Sequence, residues 1–489
     1  MPLQEVHGCE LFRVIDCNGI PQLFWLRNAQ GAMSGDESSL SAELFAHAFT
    51  WLADVRDLLN SAETCAAWRH AVNSNDAVWT GIVASEENEP YAQRFRDLRG
   101  KALYQEARRV RRLWREPKRE SRQVVVPYPT YVRSLRVDWN ANCYVCGLSD
   151  GSAYIQDIEV KWQRLLPAQH NDGQTITVDI RGDFVASGSG EPSYQQSMPC
   201  PGADILVYSK NMSNWAVCNL ELRHRFDREQ GGHRDTVNCV RLASDQGDYL
   251  ISAGTDARIL VWDLRAATRP PTRVLAGHTA SVTQLEILSD SNLLSCSHDA
   301  TILLHDWKQG TMVRRVWKHP FDHRLSAMHY NLQTRTIAYG DQTNEVGVVT
   351  LESSDAGPYF IARQKGLQSK PRGHRGDAAT EIACVCHDGD KLASLSRIGI
   401  LEVREFTGRL TSTATSSSFG SAQPMVEPQE IPTLFGVNVR LYCSSIYFHT
   451  NMLVSDGFDN KVLLLKLGDE NLDVARRGLA ALQSGNTIP

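Results

Sequence analysis

Two stretches of the sequence decide the fold because they repeat each other: "LISAGTDARILVWDLR" (Leu250–Arg265) and "LLSCSHDATILLHDWK" (Leu293–Lys308). Each copy follows a Gly-His pair and an alternating apolar segment, "VNCVRL" in the first and "VTQLEI" in the second. In each copy a serine precedes an aspartate by four residues, and the two aspartates, Asp256 and Asp299, are 43 positions apart. Short alternating segments between turn signals predict consecutive β-strands. The sequence therefore predicts an all-β domain built from one repeated unit.

Weaker copies of the unit lie on both sides of this pair. They are residues 146–157, residues 186–191 continued by 204–209 after an insertion, and residues 339–352, 393–406 and 454–467. With the two strong copies they make seven units, and self-similar units of about 40 to 45 residues are typical of propeller blades. A closed ring needs its two ends joined, and the apolar run "RQVVVPY" (Arg122–Tyr128) precedes the first unit. We therefore predict that Gln123–Val126 pairs as the outer strand of the seventh blade.

Gly-His and Trp-Asp at this period resemble the WD-repeat family. The resemblance implies a seven-bladed all-β propeller over residues 121–467 and a buried hydrogen-bonded cluster in each strong copy. The implied clusters are His233, Ser252, Asp256 and Trp262 in one blade and His278, Ser295 and Asp299 in the next. In the second cluster His305 stands where the family has tryptophan, and in the sixth unit Ile398 and Arg404 replace the aspartate and the tryptophan. An aspartate in a tight turn fixes one imidazole tautomer, so we expect these histidines to be structural and not catalytic.

Residues 40–79 combine helical periodicity with more large apolar side chains than one small core can bury. Leu40, Leu44 and Ala48 fall at i, i+4 and i+8, and "DVRD" (Asp54–Asp57) offers a helix N-cap with a carboxylate three residues later. Three short helices are predicted. The apolar residues are Leu40, Leu44, Phe45, Phe49, Leu52, Leu58, Leu59, Trp68 and Trp79. A second surface must cover some of them.

The order "SLSAELFAHAFTWLADVRDLLNSAETCAAWRHAVNSNDAVW" (Ser39–Trp79) resembles the F-box, although Ser41 stands where that family usually has proline. The resemblance implies a domain at residues 36–82 that binds a Skp-family adaptor and, through it, a cullin-RING ubiquitin ligase. The implied adaptor-binding residues are Leu40, Leu44, Phe45, Phe49, Leu52, Leu58, Leu59, Cys65 and Trp68.

Three further segments complete the predicted organisation. Residues 1–35 form an N-terminal extension, in which the alternating segments around Asn18-Gly19 favour a β-hairpin. Residues 83–120 form a helical linker similar to that of F-box/WD-repeat proteins, and residues 468–489 form a C-terminal tail. The linker residues that could anchor it are Leu103, Val110 and Trp114, and its basic run is Arg108, Arg109, Arg111, Arg112 and Arg115. We interpret the basic run as a solvated helix face, with a nucleic-acid or import patch as the alternative.

The predicted fold class is therefore α+β multidomain, with a small all-α F-box and a helical linker followed by an all-β seven-bladed propeller.

Composition and motifs argue against several functional classes. The 489 residues carry a net charge of -5, which gives no general attraction to nucleic acid. No apolar run approaches the roughly 20 residues that cross a bilayer, and the start lacks a signal-peptide pattern. The sequence thus predicts a cytoplasmic or nuclear protein with no nucleic-acid or membrane partner. Because no phosphate-binding loop, dinucleotide-binding glycine pattern, metalloprotease motif or nucleophile elbow is present, we expect a non-enzymatic chain without a cofactor.

Two cysteine pairs have spacing that resembles metal ligation. They are Cys143 with Cys146 in "CYVC", and Cys384 with Cys386 in "CVC". Both pairs lie in strand-like text, and no second pair follows "CYVC" at ligand distance. The sequence therefore favours buried strand cysteines and predicts no metal site.

Substrate is expected to bind the propeller face that carries the loops before each first strand and the turns between second and third strands. Two insertions fall there, Gly190–Ala203 and Lys365–Ala379, and long functional loops concentrate at such places. Arg133 and Arg397 occupy positions where phosphate-reading relatives carry arginines, although both could be rim residues. The candidate substrate-binding residues are Arg133, Arg397, Tyr194 and Arg372. At the position of Arg133 the two strong copies carry Asn238 and Thr283, and at the position of Arg397 they carry Thr255 and His298.

Two functional hypotheses remain open at this point. In the first, the chain is the substrate-recognition subunit of an SCF-type ubiquitin ligase. In the second, it is a propeller scaffold for an assembly unrelated to ubiquitin, with Leu44, Phe45 and Trp68 buried against the rest of the chain. The state of the F-box surface distinguishes them, because fold alone does not determine function.

Overall fold

The computed structural model divides into two compact units, Met1–Arg112 and Leu113–Pro489. The structure describes residues 2–6, 9–15, 21–26, 79, 100–115, 121–167, 169–170, 173–190, 203–210, 215–216, 218–243, 248–265, 270–332, 334–351, 360–363, 381–388, 391–397, 400–405, 433–438, 445–449, 452–458 and 460–467. The segment that resembles the F-box lies outside these residues, apart from Trp79.

The first unit contains a three-stranded antiparallel sheet near the N-terminus. Its strands are Pro2–Val6, Cys9–Ile15 and Pro21–Leu26. The second and third strands pair from Glu10 opposite Leu26 to Ile15 opposite Pro21. This is the hairpin pairing that the Asn18-Gly19 signal favours.

One α-helix is described, Gly100–Arg115. Val110, Leu113 and Trp114 are buried, and their i, i+3, i+4 spacing places them on one face of the helix. Gln105, Arg108 and Arg112 are exposed on the other face. Among the helices that the structure describes, none is long and apolar enough to cross a membrane.

The second unit is a seven-bladed β-propeller in which each blade is a four-stranded antiparallel sheet. Blade one comprises Val132–Asp138, Cys143–Leu148, Ala153–Asp157 and Gln163–Leu165. Blade two comprises Gln174–Arg181, Phe184–Gly190, Ile205–Lys210 and Leu220–Phe226. Blade three comprises Val237–Leu242, Tyr249–Gly254, Ile259–Asp263 and Arg273–Leu275. Blade four comprises Val282–Ile287, Asn292–Ser297, Thr301–Asp306 and Thr311–Lys318. Blade five comprises Leu325–Asn331, Thr336–Asp341, Glu345–Thr350 and Phe360–Arg363. Blade six comprises Ile382–His387, Lys391–Ser396, Ile400–Glu405 and Thr433–Asn438. Blade seven comprises Ile446–His449, Met452–Phe458, Lys461–Leu467 and Ser121–Pro127. A short 3-10 helix, Arg228–Gln230, lies between blades two and three.

The ring is closed by the strand that precedes the first blade. Ser121–Pro127 pairs antiparallel with Lys461–Leu467, with Gln123 opposite Leu465 and Val126 opposite Val462. The closure predicted from the sequence is thus confirmed. The seventh blade is built from segments more than 300 residues apart in the chain, so it forms only when the two ends of the propeller meet.

The core of the propeller lies between blades, because each sheet packs one face on the preceding blade and one on the next. The first strand of each blade contacts the first strand of the next, and the contact between blades seven and one completes the ring. Separate apolar clusters fill the spaces, such as Val126, Tyr144 and Val454 between blades seven and one. Because neighbouring blades cover both faces of each sheet, the inner strands are buried on both sides. This explains why their residues are almost continuously apolar.

Candidate functional site

In blade three, the four residues linked by the WD-repeat spacing meet in one buried cluster. His233 Nδ1 lies 3.0 Å from Asp256 Oδ1, and His233 Nε2 lies 2.8 Å from Ser252 Oγ. Trp262 Nε1 donates a hydrogen bond to the same Ser252 Oγ at 3.0 Å. Burial alone would raise the pKa of Asp256, but its hydrogen bonds to His233 and to two backbone amides outweigh burial and lower the pKa. Both imidazole nitrogens are engaged, so the cluster ties the loop before blade three to the second and third strands of that blade.

Blade four repeats the cluster with a histidine in place of tryptophan. His278 lies 2.8 Å from Asp299 Oδ2 through Nδ1 and 2.7 Å from Ser295 Oγ through Nε2. His305 Nε2 lies 2.8 Å from Ser295 Oγ and so makes the bond that Trp262 makes in blade three. Because the carboxylate holds the proton on His278 Nδ1, Ser295 donates to His278 and accepts from His305. His305 Nδ1 is then an acceptor, and it has no hydrogen-bond partner among the described residues.

The substitution at His305 makes blade four sensitive to acid. Burial, followed by the nearby His278, lowers the pKa of His305 to about 4, against about 6.5 in an unfolded chain. The folded form resists protonation, so the contribution of His305 to stability is fully present above pH ~6.5 and is lost as the pH falls towards 4. At pH 5 this loss amounts to about 2 kcal/mol.

We expect His305→Gln to lose less stability than the wild type between pH 7 and pH 5, because the glutamine amide can donate to Ser295 without titrating. Urea unfolding at the two pH values measures the difference. His224→Gln, a part-exposed position in blade two, serves as the matched control and should retain the full acid-dependent loss. An equal loss in His305→Gln and wild type would show that the pKa of His305 is the same in the folded and the unfolded chain.

Blade two contains a third cluster that the sequence analysis missed. His170 Nδ1 lies 2.5 Å from Asp204 Oδ1, and His170 Nε2 lies 2.9 Å from Ser187 Oγ. Tyr208 hydrogen-bonds to Ser187 and so takes the place of the tryptophan. Burial raises the pKa of Asp204, but hydrogen bonds from His170 and from its other partners reverse that effect and lower the pKa to about 2. The insertion after Gly190 separates the serine from its aspartate, which hid the spacing. The available signal was that His170, like His233 and His278, stands four residues before a first strand.

The first strands also carry one side chain each at an equivalent position facing the centre of the ring. The seven residues are Arg136, Asp179, Arg241, Glu286, His329, Cys386 and Tyr447. Arg136 lies 3.2 Å from Asp179 and 3.9 Å from Glu286, which belongs to a blade that is not its neighbour. Arg241 lies 3.6 Å from Glu286. We call these seven residues the axial ring.

The charges of the axial ring balance. Burial raises the pKa of Glu286, but Arg241 and Arg136 outweigh burial and hold it below its usual value, so the carboxylate is ionised. Two guanidinium groups therefore face two carboxylates, one on Asp179 and one on Glu286. The Tyr447 hydroxyl also lies 3.5 Å from Arg136 Nη1. The axis is thus occupied by a charge-paired layer that links non-adjacent blades.

A β-bulge near the start of the first strand re-aims one side chain in six blades. The bulged residues are Arg133, Ile176, Asn238, Thr283, Ser326 and Ala383. Three of them donate hydrogen bonds to the next blade: Asn238 to the Val282 carbonyl at 2.9 Å, Thr283 to Leu325 at 3.1 Å and Ser326 to Ile382 at 2.6 Å. Asn238 and Thr283 therefore join neighbouring blades, which accounts for polar residues at these positions without a ligand.

Arg133 and Arg397 lie on the same propeller face, which we call the upper face, because the start of a first strand is next to the turn that follows the second strand. The Arg133 guanidinium lies 5.9 Å from the ring centre of Tyr131, which is 56% exposed. Arg397 Nε lies 2.5 Å from Glu381 Oε2. A phosphate or acidic group that bound Arg397 would therefore have to compete with this carboxylate.

His298 on the upper face lies in the electrostatic field of Arg397 and Glu381. Burial lowers the pKa of His298, Arg324 and Arg397 lower it further, and Glu381 opposes them. These side chains come from blades four, five and six. The structure thus brings Arg397 into a mixed-charge group that the sequence spacing did not indicate. Tyr194, Arg372 and the adaptor-binding residues from Leu40 to Trp68 lie outside the described residues, so their roles stay predictions.

Among the described residues, neither cysteine pair belongs to a group of three or more potential metal ligands. Cys143 and Cys146 are buried in different apolar clusters, one facing blade two and the other facing blade seven. Burial raises the pKa of Cys146 and of Cys384 to about 12, so both thiols stay protonated in the absence of a metal ion. Cys386 belongs to the axial ring, where its Sγ lies 3.8 Å from His329 Nε2.

Trp79, the last residue of the F-box-like order, is covered within the first unit. It is fully buried, and its ring centre lies 5.1 Å from that of Tyr104 in the helix Gly100–Arg115. Lys101 Nζ lies 5.8 Å from the same ring. The linker helix therefore covers one of the two tryptophans of the helical segment, Trp68 and Trp79. The side chain of the predicted anchor Leu103 and those of Arg111 and Arg115 lie outside the described residues.

Comparison with known proteins identifies the repeat. The family model of the WD domain, G-beta repeat (WD40) matches residues 224–263 and 269–306, whereas no F-box model matches the chain. The E3 ubiquitin-protein ligase COP1 of Pisum sativum is 34% identical over 144 residues, which cover 26% of this chain and 21% of that protein. The DDB1- and CUL4-associated factor 11 homolog of Caenorhabditis elegans is 36% identical over 97 residues, 19% of this chain and 17% of the relative. The F-box/WD repeat-containing protein sel-10 of Caenorhabditis elegans is 28% identical over 83 residues, 17% of this chain and 13% of the relative.

Solved structures match over a larger part of the chain. "Structure of U3-55K" has a TM-score of 0.51 at 16% identity and covers 71% of this chain and 98% of that chain. "Crystal structure of RRP9 WD40 repeats" has a TM-score of 0.50 and covers 71% of this chain and 97% of that chain, also at 16% identity. At this identity the likeness shows the fold alone. Taken with the seven described blades, it shows a seven-bladed β-propeller, two segments of which match the WD40 repeat model.

Proposed function

We propose that the chain is the substrate-recognition subunit of an SCF-type ubiquitin ligase and has no catalytic residues of its own. The F-box-like order of residues 40–79, followed by a WD-repeat propeller, is the observation that carries the proposal. Three relatives support it by their names, which are those of an E3 ubiquitin-protein ligase, a CUL4-associated factor and an F-box/WD repeat-containing protein. In this proposal the F-box helices bind a Skp-family adaptor through Leu44, Phe45 and their neighbours.

The propeller would then present a bound protein substrate to a ubiquitin-loaded conjugating enzyme, so its contribution to the reaction is positioning. The upper face is the proposed substrate surface, because Arg133, Tyr131, Arg397 and the exposed Phe321 all lie there. Tyr194 and Arg372 belong to insertions that connect described strands whose ends lie at this face. The pairing of Arg397 with Glu381 favours a substrate that contacts both charges over one bound by phosphate alone.

Adaptor binding tests the proposal. The full chain should co-purify with a Skp-family adaptor in stoichiometric amounts, and Leu44→Asp/Phe45→Asp should abolish this because two charges would enter an apolar interface. Met312→Asp/Val313→Asp is a matched control, since both residues are about half exposed on the outer strand of blade four; it should bind like the wild type. Circular dichroism checks that each variant folds. Absence of wild-type binding would contradict the proposal and favour a propeller scaffold unrelated to ubiquitin.

A further inference from the structure

Blade five lacks the hydrogen-bonded cluster that blades two, three and four share. Strand register defines the equivalent positions, since Met328 pairs with Tyr339 where Val240 pairs with Ser252. The residues at the places of the histidine, serine, aspartate and tryptophan are Phe321, Tyr339, Thr343 and Val349. None of the four can build the scaffold network. The loop before blade five and the turn after its second strand are therefore held together by other groups.

Those groups are two histidines and two carboxylates. His319 and His323 come from the loop before the blade, and Asp341 and Glu345 flank the turn after its second strand. His323 Nδ1 lies 2.9 Å from Asp341 Oδ2, while His319 Nε2 lies 3.9 Å from the same oxygen and 3.5 Å from Glu345 Oε1. The ligand atoms of His319, His323 and Asp341 all lie within 4.8 Å of one another. The ligand atoms of three of these groups thus lie close together, and Glu345 Oε1 lies beside His319 Nε2.

The position of Asp341 holds a small residue, Ser189, Gly254 or Ser297, in the three blades that have the scaffold histidine. In blade three the equivalent position is Gly254, where a Cβ atom would lie 2.6 Å from His233 Nδ1. Blade five has no histidine at that place, so the aspartate side chain fits. The absence of the scaffold histidine therefore leaves room for the longer side chain of Asp341.

The cluster contains buried polar atoms that lack partners. His319 is 1% exposed, and its Nε2 has no hydrogen-bond partner among the described residues, although it points towards Asp341 and Glu345. The hydroxyl of buried Tyr339, two residues before Asp341, also lacks a partner in the described part of the chain. An unpaired buried imidazole nitrogen is costly, and a cation between the four groups would satisfy it.

Asp341 is already held in place by hydrogen bonds from the turn that follows it. Its Oδ1 accepts hydrogen bonds from the backbone amides of Thr343 and Glu345, each at 2.8 Å. Its Oδ2 accepts from the Thr343 hydroxyl at 2.7 Å and faces the two histidines. Such contacts fix the orientation of a metal-binding carboxylate.

We propose that His319 Nε2, His323 Nδ1, Asp341 Oδ2 and Glu345 Oε1 bind a divalent transition-metal ion of the zinc class. Zinc–nitrogen and zinc–oxygen bonds of about 2.0 to 2.2 Å in a tetrahedron place the ligands about 3.4 Å apart. The observed separations of 2.9, 3.5 and 3.9 Å bracket that value. His323 is 24% exposed and provides a path for the ion to enter. The ion would cross-link the loop and the turn of blade five, a structural role that is independent of the proposed receptor function.

Binding requires both neutral imidazoles to move a proton to the other ring nitrogen. In His323 the proton leaves Nδ1, which faces Asp341, for Nε2. In His319 it leaves Nε2 for Nδ1, where the amides of Phe321 and His323 now donate at 3.2 and 3.4 Å. These long contacts must open when Nδ1 becomes a donor. They belong to a loop whose Phe321 is 72% exposed, so metal binding is expected to rearrange residues 320–323.

Zinc titration of the chelator-stripped full chain tests the site against variants. Wild type should bind one more equivalent of zinc by calorimetry than His323→Gln or Asp341→Asn, or bind that equivalent at least about 10-fold more tightly. Zinc should also raise the thermal midpoint of the wild type by more than that of either variant. His298→Gln, a part-buried histidine on the same face outside the cluster, is the matched control and should behave as the wild type. The difference between variants separates this site from the other histidines and the 12 cysteines of the chain.

Equal zinc stoichiometry, affinity and thermal shift in wild type and folded His323→Gln would overturn the proposal. If both variants unfold, cobalt(II) bound to the wild type decides the question. At one equivalent, visible bands of a four-coordinate ion without a thiolate absorption support the site. A thiolate absorption alone overturns it, because the proposed ligand set contains no cysteine.

Discussion

Glu286→Ala is expected to destabilise the propeller by about 3 to 5 kcal/mol, because it leaves two buried guanidinium groups without their shared carboxylate. Glu286 lies 3.6 Å from Arg241 and 3.9 Å from Arg136, and its side chain is only 12% exposed. Asp179 would remain to balance Arg136, but Arg241 would lose its nearest carboxylate. The cost is large because the charges come from blades one, two, three and four, so their imbalance affects the whole ring.

Urea unfolding followed by circular dichroism measures this effect. Glu221→Ala is the matched control, because Glu221 also pairs with an arginine, Arg223, but both side chains are more than half exposed. Its loss should be within about 1 kcal/mol, as for other surface ion pairs. Similar losses in the two variants would mean that solvent screens the axial ring and that its charge balance does not stabilise the fold. A double change of Arg241 and Glu286 to apolar residues of similar size, which keeps the Arg136–Asp179 pair, should recover part of the lost stability.

The blade count and the ring closure could be predicted from the sequence because they depend on local spacing. Asp256 and Asp299 stand at the same place in consecutive units, and the apolar run before residue 128 has the length of one strand. His305 was also evident as a substitution at a fixed position. Its consequence, an imidazole with a low pKa bonded to Ser295, needed the structure, because it depends on burial and on the neighbouring His278.

The features that the sequence analysis missed all depend on contacts between distant residues. The cluster of blade two was hidden because an insertion separates Ser187 from Asp204, although the two residues meet at His170. The axial ring uses one residue from each first strand, and no single blade shows a pattern of charge. Asp341 lies outside the WD-repeat spacing, so its approach to His319 and His323 appears only when the register is known.

The candidate substrate surface shows the same limit. Arg397 was found from its position before a turn, but its partner Glu381 lies 16 residues earlier and on another strand connection. Arg397, which the sequence shows only as a basic residue, is thus ion-paired in the fold. The F-box assignment, in contrast, depends on residue order alone, and adaptor binding is the measurement that can test it.

Val126→Asp is expected to destabilise the protein by about 4 kcal/mol or more, because it places an unpaired carboxylate in the apolar cluster that closes the ring. Val126 is 5% exposed and packs with Val454, Val462 and Leu464 between blades seven and one. Its strand belongs to blade seven only through pairing with Lys461–Leu467, so this pairing provides the backbone hydrogen bonds that join the two ends of the propeller. Val125→Asp is the matched control: it changes the neighbouring residue, which faces the opposite side of the same strand and is only partly buried. A smaller loss of stability in Val125→Asp would assign the effect of Val126→Asp to the apolar cluster between blades seven and one. Equal unfolding midpoints in urea for the two variants would show that the outer strand contributes little to ring closure.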